Sequence, residues 1–204
     1  MTLETGDLLQ SILDSLDRID YIRPDDIPDI ELYMDQVTSF MDEQLSSSKR
    51  YDDDKILTKT MINNYAKNNL LPPPVKKKYS KEHVVVMIFI YYFKTILSIK
   101  DIETILTPIT EKYFDTDSAV DVASIYEEVC DTAKSQIQNL KDEVREAYET
   151  SQNTFKDMEG LSDSDREYLQ LFSLISSLSF DVYAKKALIE RIIGELPEPV
   201  HKKK

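Results

Sequence analysis

The sequence predicts a mostly α-helical protein, on two observations. Tight β-turns draw heavily on glycine, and the 204 residues contain only three, Gly6, Gly160 and Gly194. Apolar residues meanwhile recur at intervals of three and four along most of the chain, the spacing that gathers them on one helical face. With 41% hydrophobic residues the chain can bury a real core, as one two-part domain or as two small ones.

Leu8, Leu9, Ile12, Leu13, Leu16 and Ile19 have helical spacing and give a packing helix within residues 1–23, stopped by the Pro24 to Pro28 interruption. From Asp29, the set Ile30, Met34, Val37, Met41 and Leu45 forms one stripe that ends at the polar run Ser46-Ser47-Ser48. After a charged loop, Thr58 is an N-cap for a three-turn helix whose short apolar face is Met61, Ile62 and Tyr65. Pro72, Pro73 and Pro74 then impose extended backbone, and Lys76, Lys77, Lys78 and Tyr79 follow as an exposed basic tip.

The ten residues Val84 to Phe93 are β-branched, aromatic or otherwise apolar, and propensity alone reads them as a buried strand. Ser98 and Asp101 form a capping box opening a short helix with Ile99, Ile102, Ile105 and Leu106, expected to stop before Pro108. Beyond the loop Phe114 to Asp117, the stripe Val122, Ile125, Val129, Ala133, Ile137, Leu140, Val144, Ala147 and Phe155 predicts a helix of about 35 residues. A last helix opens at Ser162, with Asp163 and Asp165 in its first turn, and closes at Gly194 before Pro197 and Pro199. The expected organisation is a packing helix and linker (1–29), a functional domain (30–106), a helical region for dimerisation or interaction (118–194) and a disordered tail (195–204).

Charge is unevenly distributed along the chain. The net charge of −13 argues against nucleic acid, whose phosphates reward Lys and Arg. Yet Lys49 to Lys100 holds 11 basic and 4 acidic residues, a local surplus of seven, while the remaining 14 basic and 34 acidic residues leave a deficit of twenty. A basic island sits in an acidic protein.

Within that island the run Thr58-Lys59-Thr60-Met61-Ile62-Asn63-Asn64-Tyr65 through Leu70-Leu71-Pro72 resembles the MerR-type recognition helix and its exit, with the pattern Ser-x-Arg-Thr-Leu-Arg-Tyr-Tyr-Glu-x-x-Gly-Leu-Leu. Lys77-Lys78-Tyr79-Ser80 is similar to that family's Arg-Arg-Tyr-Ser at the end of the wing, and Leu97 to Ile102 to its Phe-Ser-Leu-Glu-Glu-Ile; the register holds over about 50 residues. Asn63 stands where Arg is common, Asn64 replaces one Tyr, and Asn69 replaces Gly. Leu32 to Val37 together with Leu57 to Pro74 more closely resembles a bacterial family known only as domain of unknown function number 1836, a name that implies no activity. The MerR-like resemblance implies a winged helix-turn-helix followed by long C-terminal helices, and with the Ser80 cap it makes Val84 to Phe93 a helix despite its propensity.

The residues support the same reading on physical grounds. A helix that opens at Thr58 and carries Lys59, Thr60, Asn63, Asn64 and Lys67 off its apolar face suits a major groove, where Asn bonds adenine bidentately and Lys and Thr suit phosphate or guanine. Lys76, Lys77 and Lys78 are matched to phosphate, and Tyr79, ending the tip, to stacking; Tyr65 belongs to the core. The expected partner is double-stranded DNA. The expected function is sequence-specific transcription regulation, against the alternative of an interaction adaptor that has lost DNA affinity.

No enzyme is expected, since His83 and His201 are the only histidines and no glycine-rich phosphate cradle exists. Neither a metal nor another cofactor is implied. The lone Cys130 and the lack of a signal-peptide pattern predict a reducing cytoplasm, and Leu169 to Phe180 is too short for a membrane helix. The apolar stretch from Leu169 to Tyr183 and the Val122 to Phe155 stripe offer more apolar surface than one subunit covers, which predicts a homodimer. A small-molecule effector, the operator and the sign of regulation are left open.

Overall fold

A computed structural model describes residues 5–16 and 21–197. The expected packing helix is present as α1 (Thr5–Leu16). Its predicted continuation through Ile19 and residues 198–204 of the expected disordered tail lie outside the described residues, while the Glu195 and Leu196 N–H groups donate to the Ile192 and Ile193 carbonyls at 3.1 and 3.0 Å. Two compact units are formed. One comprises Tyr21–Asp131 with Ile189–Lys204, and the other Met1–Asp20 with Thr132–Leu188.

In the first unit, β1 (Leu32–Tyr33) leads directly into α2 (Met34–Gln44). The helix therefore starts four residues later than its apolar stripe suggests. Ile30, assigned to that stripe, lies in a bend and is exposed, while Val37, Met41 and Leu45 are buried as expected. Then follow α3 (Lys59–Lys67), β2 (Lys78–Tyr79) and α4 (Lys81–Phe93). β1 and β2 pair antiparallel, Leu32 opposite Tyr79 and Tyr33 opposite Lys78.

The run with strand propensity is helical. Every residue from His83 to Ile90 is buried, so α4 is apolar around its whole circumference and is wrapped by the other elements. It stops at Phe93; Lys94 to Ile96 form a turn, with the Leu97 N–H donating to the Phe93 carbonyl at 2.8 Å. The turn is held in part by Lys94 Nζ, which donates to the Ile56 carbonyl at 2.8 Å.

Helix α5 (Ile99–Tyr113) has the predicted cap, the Asp101 N–H donating to Ser98 Oγ and the Ser98 N–H to the Asp101 carboxylate, both at 3.2 Å. It continues through Pro108 instead of ending before it. Pro108 is itself exposed, and Ile109 and Tyr113 beyond it pack against the core, which carries the helix past it.

Helix α6 (Val122–Gln152) is shorter than expected, and its inward face is shifted. Tyr126 and Cys130 join Val122 in the core, while Val129, assigned to the stripe, is exposed. Phe155 falls beyond the helix, in a turn with φ of 58°. The first unit thus extends past the expected 30–106 domain at both ends, because Ile22, Ile27, Val122, Tyr126 and Cys130 complete its core.

In the second unit the later part of α6 is joined by α7 (Asp163–Gly194), capped by Ser162 as predicted, with the Asp165 N–H donating to Ser162 Oγ at 3.1 Å. Gln170 Nε2 donates to the Gln152 and Thr154 carbonyls at 2.9 and 3.2 Å, closing backbone groups that the end of α6 leaves open. Leu174 and Val144 are buried here, but most large apolar residues of α7 are not.

Candidate nucleic-acid interface

Helix α3 is fixed at both ends by its own sequence. Thr58 Oγ1 accepts from the Met61 N–H at 3.2 Å, as an N-cap should. At the other end the Leu70 N–H donates to the Tyr65 carbonyl at 2.9 Å and the Asn69 N–H to the Ala66 carbonyl at 3.3 Å, a Schellman closure. Asn69 takes a φ of 56°, the conformation that glycine supplies in the resembled pattern and that Asn tolerates better than most residues. Ile62 and Tyr65 enter the core, which leaves Lys59, Thr60, Asn63, Asn64 and Lys67 exposed and Thr58 half-buried.

The predicted basic tip is a two-residue hairpin. Val75 bridges Lys78, the Lys78 N–H donates to the Val75 carbonyl at 2.9 Å, and the two central residues have positive φ, 50° at Lys76 and 65° at Lys77. Such a turn favours Asn and Gly, because a side chain in the left-handed region meets its own backbone. Each lysine costs about 1 kcal/mol or more there. Both are exposed at the apex.

The helix and the hairpin are tied together through the start of α2. Lys59 pairs with Asp35. Lys78 Nζ lies 3.2 Å from Glu31 Oε2 and 5.8 Å from the centre of the Tyr33 ring. These links make one contiguous polar face of the α3 N-terminus, Asp35, exposed Tyr33 and the tip. Glu31, Tyr33 and Asp35 were not singled out from the sequence; nothing local marks them, since they meet their lysines 24 to 47 positions away.

Tyr79 does not belong to this face. It is 3% exposed, with its ring edge-on to His83 at 5.6 Å, because its position in β2 turns its side chain inward opposite Leu32. Of the ten sequence-predicted residues, nine lie outside the core. Among the described residues Lys67, Lys76 and Lys77 form no ion pair. Asp52, Asp53 and Asp54 neutralise none of the tip lysines; Asp54 instead accepts the Arg50 and Tyr51 N–H groups at 3.0 Å.

The junction of tip and α4 rests on His83. Its Nδ1 accepts from the Ser80 N–H at 3.0 Å, which requires a neutral ring, and Phe114 packs edge-on at 4.7 Å. Burial holds the imidazole below its usual range, opposed by the Pro73 and Pro72 carbonyls and by Asp115. With the folded value below 6.5, the unfolded chain takes up the proton first, so stability falls as pH drops through 6.5 and levels off once the folded ring also protonates. Urea midpoints measured across this range should decline in the parent and decline less in His83→Gln; parallel curves would remove His83 from the acid response.

Among the described residues no group of three or more His, Cys, Asp or Glu is placed to hold a metal, and no helix is long and apolar enough to cross a membrane. The model of a domain of unknown function, DUF1836, matches residues 22–129, more than half of the chain. The chain belongs to the DUF1836 family. The matched residues almost coincide with the Tyr21–Asp131 segment of the first unit, so the DUF1836 region holds α2 to α5, both strands and the part of α6 that completes the core. No curated protein and no solved structure matches the chain.

Proposed function

We propose that the protein is a sequence-specific DNA-binding transcription regulator, with α3 as recognition helix and Val75 to Lys78 as a short wing in the manner of MerR-like winged helix-turn-helix proteins. The observation that carries this reading is the tip itself. Two lysines occupy the apex of a turn whose backbone favours Asn and Gly, and strain of this kind is retained where the side chain has a task. Linked to the tip through Asp35 and Tyr33, the exposed face of α3 offers Asn63 and Asn64 for base edges and Lys59 and Thr60 for phosphate.

The test is selection of bound fragments from random duplex DNA, followed by fluorescence anisotropy on the selected site. Asn63→Ala should cost about 1–3 kcal/mol on that site and little on random duplex. A uniform loss on both would move Asn63 from base reading to backbone contact.

A second reading, a protein-interaction adaptor, is favoured by the carboxylates of Asp35 and Glu31, which already neutralise Lys59 and Lys78. Failure of the parent to enrich any duplex would select it.

A further inference from the structure

We propose that α7 is the surface on which two copies of this chain associate, in an antiparallel pair centred between Ile175 and Ser176. Eight large apolar residues of this helix are between 54 and 70% exposed, and six of them, Tyr168, Phe172, Ile175, Phe180, Val182 and Tyr183, lie between Asp165 and Lys186. Their helical positions place all but Phe180 around one stripe, away from buried Leu174, with Ser179 within it and Ser176 at its edge. Contiguous exposed apolar surface of this extent marks an interface in a monomeric unit.

The occupant follows from the order of residues along the stripe. Turned end for end about the midpoint of Ile175 and Ser176, the stripe is complementary to itself. Phe172 falls opposite the partner's Ser179 and Ile175 opposite the partner's Ser176, so that each bulky side chain meets a small one. Tyr168 meets the partner's Tyr183. The ends close on opposite charge, Asp165 against the partner's Lys186. A two-fold contact requires such self-complementarity, because one patch must serve both sides.

Charge supports the same occupant. Copies of a chain with net charge −13 repel, yet α7 carries no charged residue from Leu169 to Phe180, so this is where two copies meet at least cost. The inference narrows the expected pairing to α7. Helix α6 turns Val122, Tyr126, Cys130 and Val144 inward, leaving Val129 and Leu140 as its exposed large apolar residues. It is also independent of the DNA reading, since mass is measured without DNA.

Sedimentation equilibrium of the full chain at micromolar concentration should give about 47 kDa, twice the 23.7 kDa of one chain. Ile175→Asp places two carboxylates at the centre of the contact and should return a 23.7 kDa species with unchanged helical circular dichroism. Val129→Asp, on the exposed side of α6, should remain a dimer. A monomeric parent, a dimer indifferent to Ile175→Asp, or dissociation by Val129→Asp in place of Ile175→Asp would each overturn the proposal; monomeric parent protein that selects a DNA site would do so while leaving the regulator reading intact.

Discussion

Replacing Lys76 and Lys77 together by Ala is expected to weaken binding to selected and random duplex alike, by about 60-fold at roughly 0.1 M salt. The magnitude follows from counterion release, in which each phosphate contact contributes a slope of about 0.9 in log K against log salt, close to one decade at that concentration. Two lost contacts should therefore also lower the salt slope by about 1.8. Lys78 is left out of the pair because Glu31 already holds its ammonium and the side chain is half-buried in the strand.

The same two positions allow a sharper comparison. Lys76→Asn with Lys77→Gly suits the left-handed backbone at both sites, so it should raise folding stability by about 1–2 kcal/mol, the relief at two sites being partly offset by the freedom Gly adds to the unfolded chain, while costing as much affinity as the alanine pair. Stability gained with binding lost would identify the strain as serving the ligand. Unchanged anisotropy with either pair would mean that the tip touches no phosphate, and the adaptor reading would then be the better account.

What was legible in the sequence was whatever short-range chemistry decides. Thr58, Ser98 and Ser162 marked helix starts because a hydroxyl reaching a backbone N–H three residues on is a local event. The candidate interface was legible in outline for a similar reason: an apolar face of Ile62 and Tyr65 leaves the remaining α3 residues facing water.

Long-range placement stayed hidden. The pairing of Leu32–Tyr33 with Lys78–Tyr79 involves two residues on each side, too few to show an alternation, and that pairing is what buries Tyr79. The fate of α4 was not legible from propensity either, since a ten-residue apolar run has no polar face to reveal its period; the resemblance decided it. Pro108 is a misleading stop signal because proline ordinarily ends a helix, whereas core contacts from Ile109 and Tyr113 carry α5 past it.

Tyr126 is the residue that sequence periodicity most undervalued, and its replacement should have the largest effect on stability. It is 1% exposed, its ring meets Phe89 edge-on at 5.4 Å, and its hydroxyl donates to the Ile22 carbonyl at 2.6 Å. Those two residues stand near opposite ends of the DUF1836 region, 104 positions apart, so the bond joins the entry of the unit to the helix that completes it. Tyr126→Ala should cost about 3–5 kcal/mol, by lost apolar contact and the cavity left behind. Tyr126→Phe keeps the ring and strands a buried carbonyl, for about 1–3 kcal/mol. Urea denaturation measures both, and a Phe variant as stable as the parent would show that the bond adds nothing net. Burial, together with Cys130 and Tyr92, also raises the Tyr126 ionisation above the usual 10.0. The folded state then holds the phenolic proton more tightly than the unfolded state does. The contribution is complete below pH 10.0 and declines as pH rises past it, so Tyr126→Phe should flatten part of the alkaline unfolding limb. Tyr92, which burial shifts in the same direction, should keep the remainder.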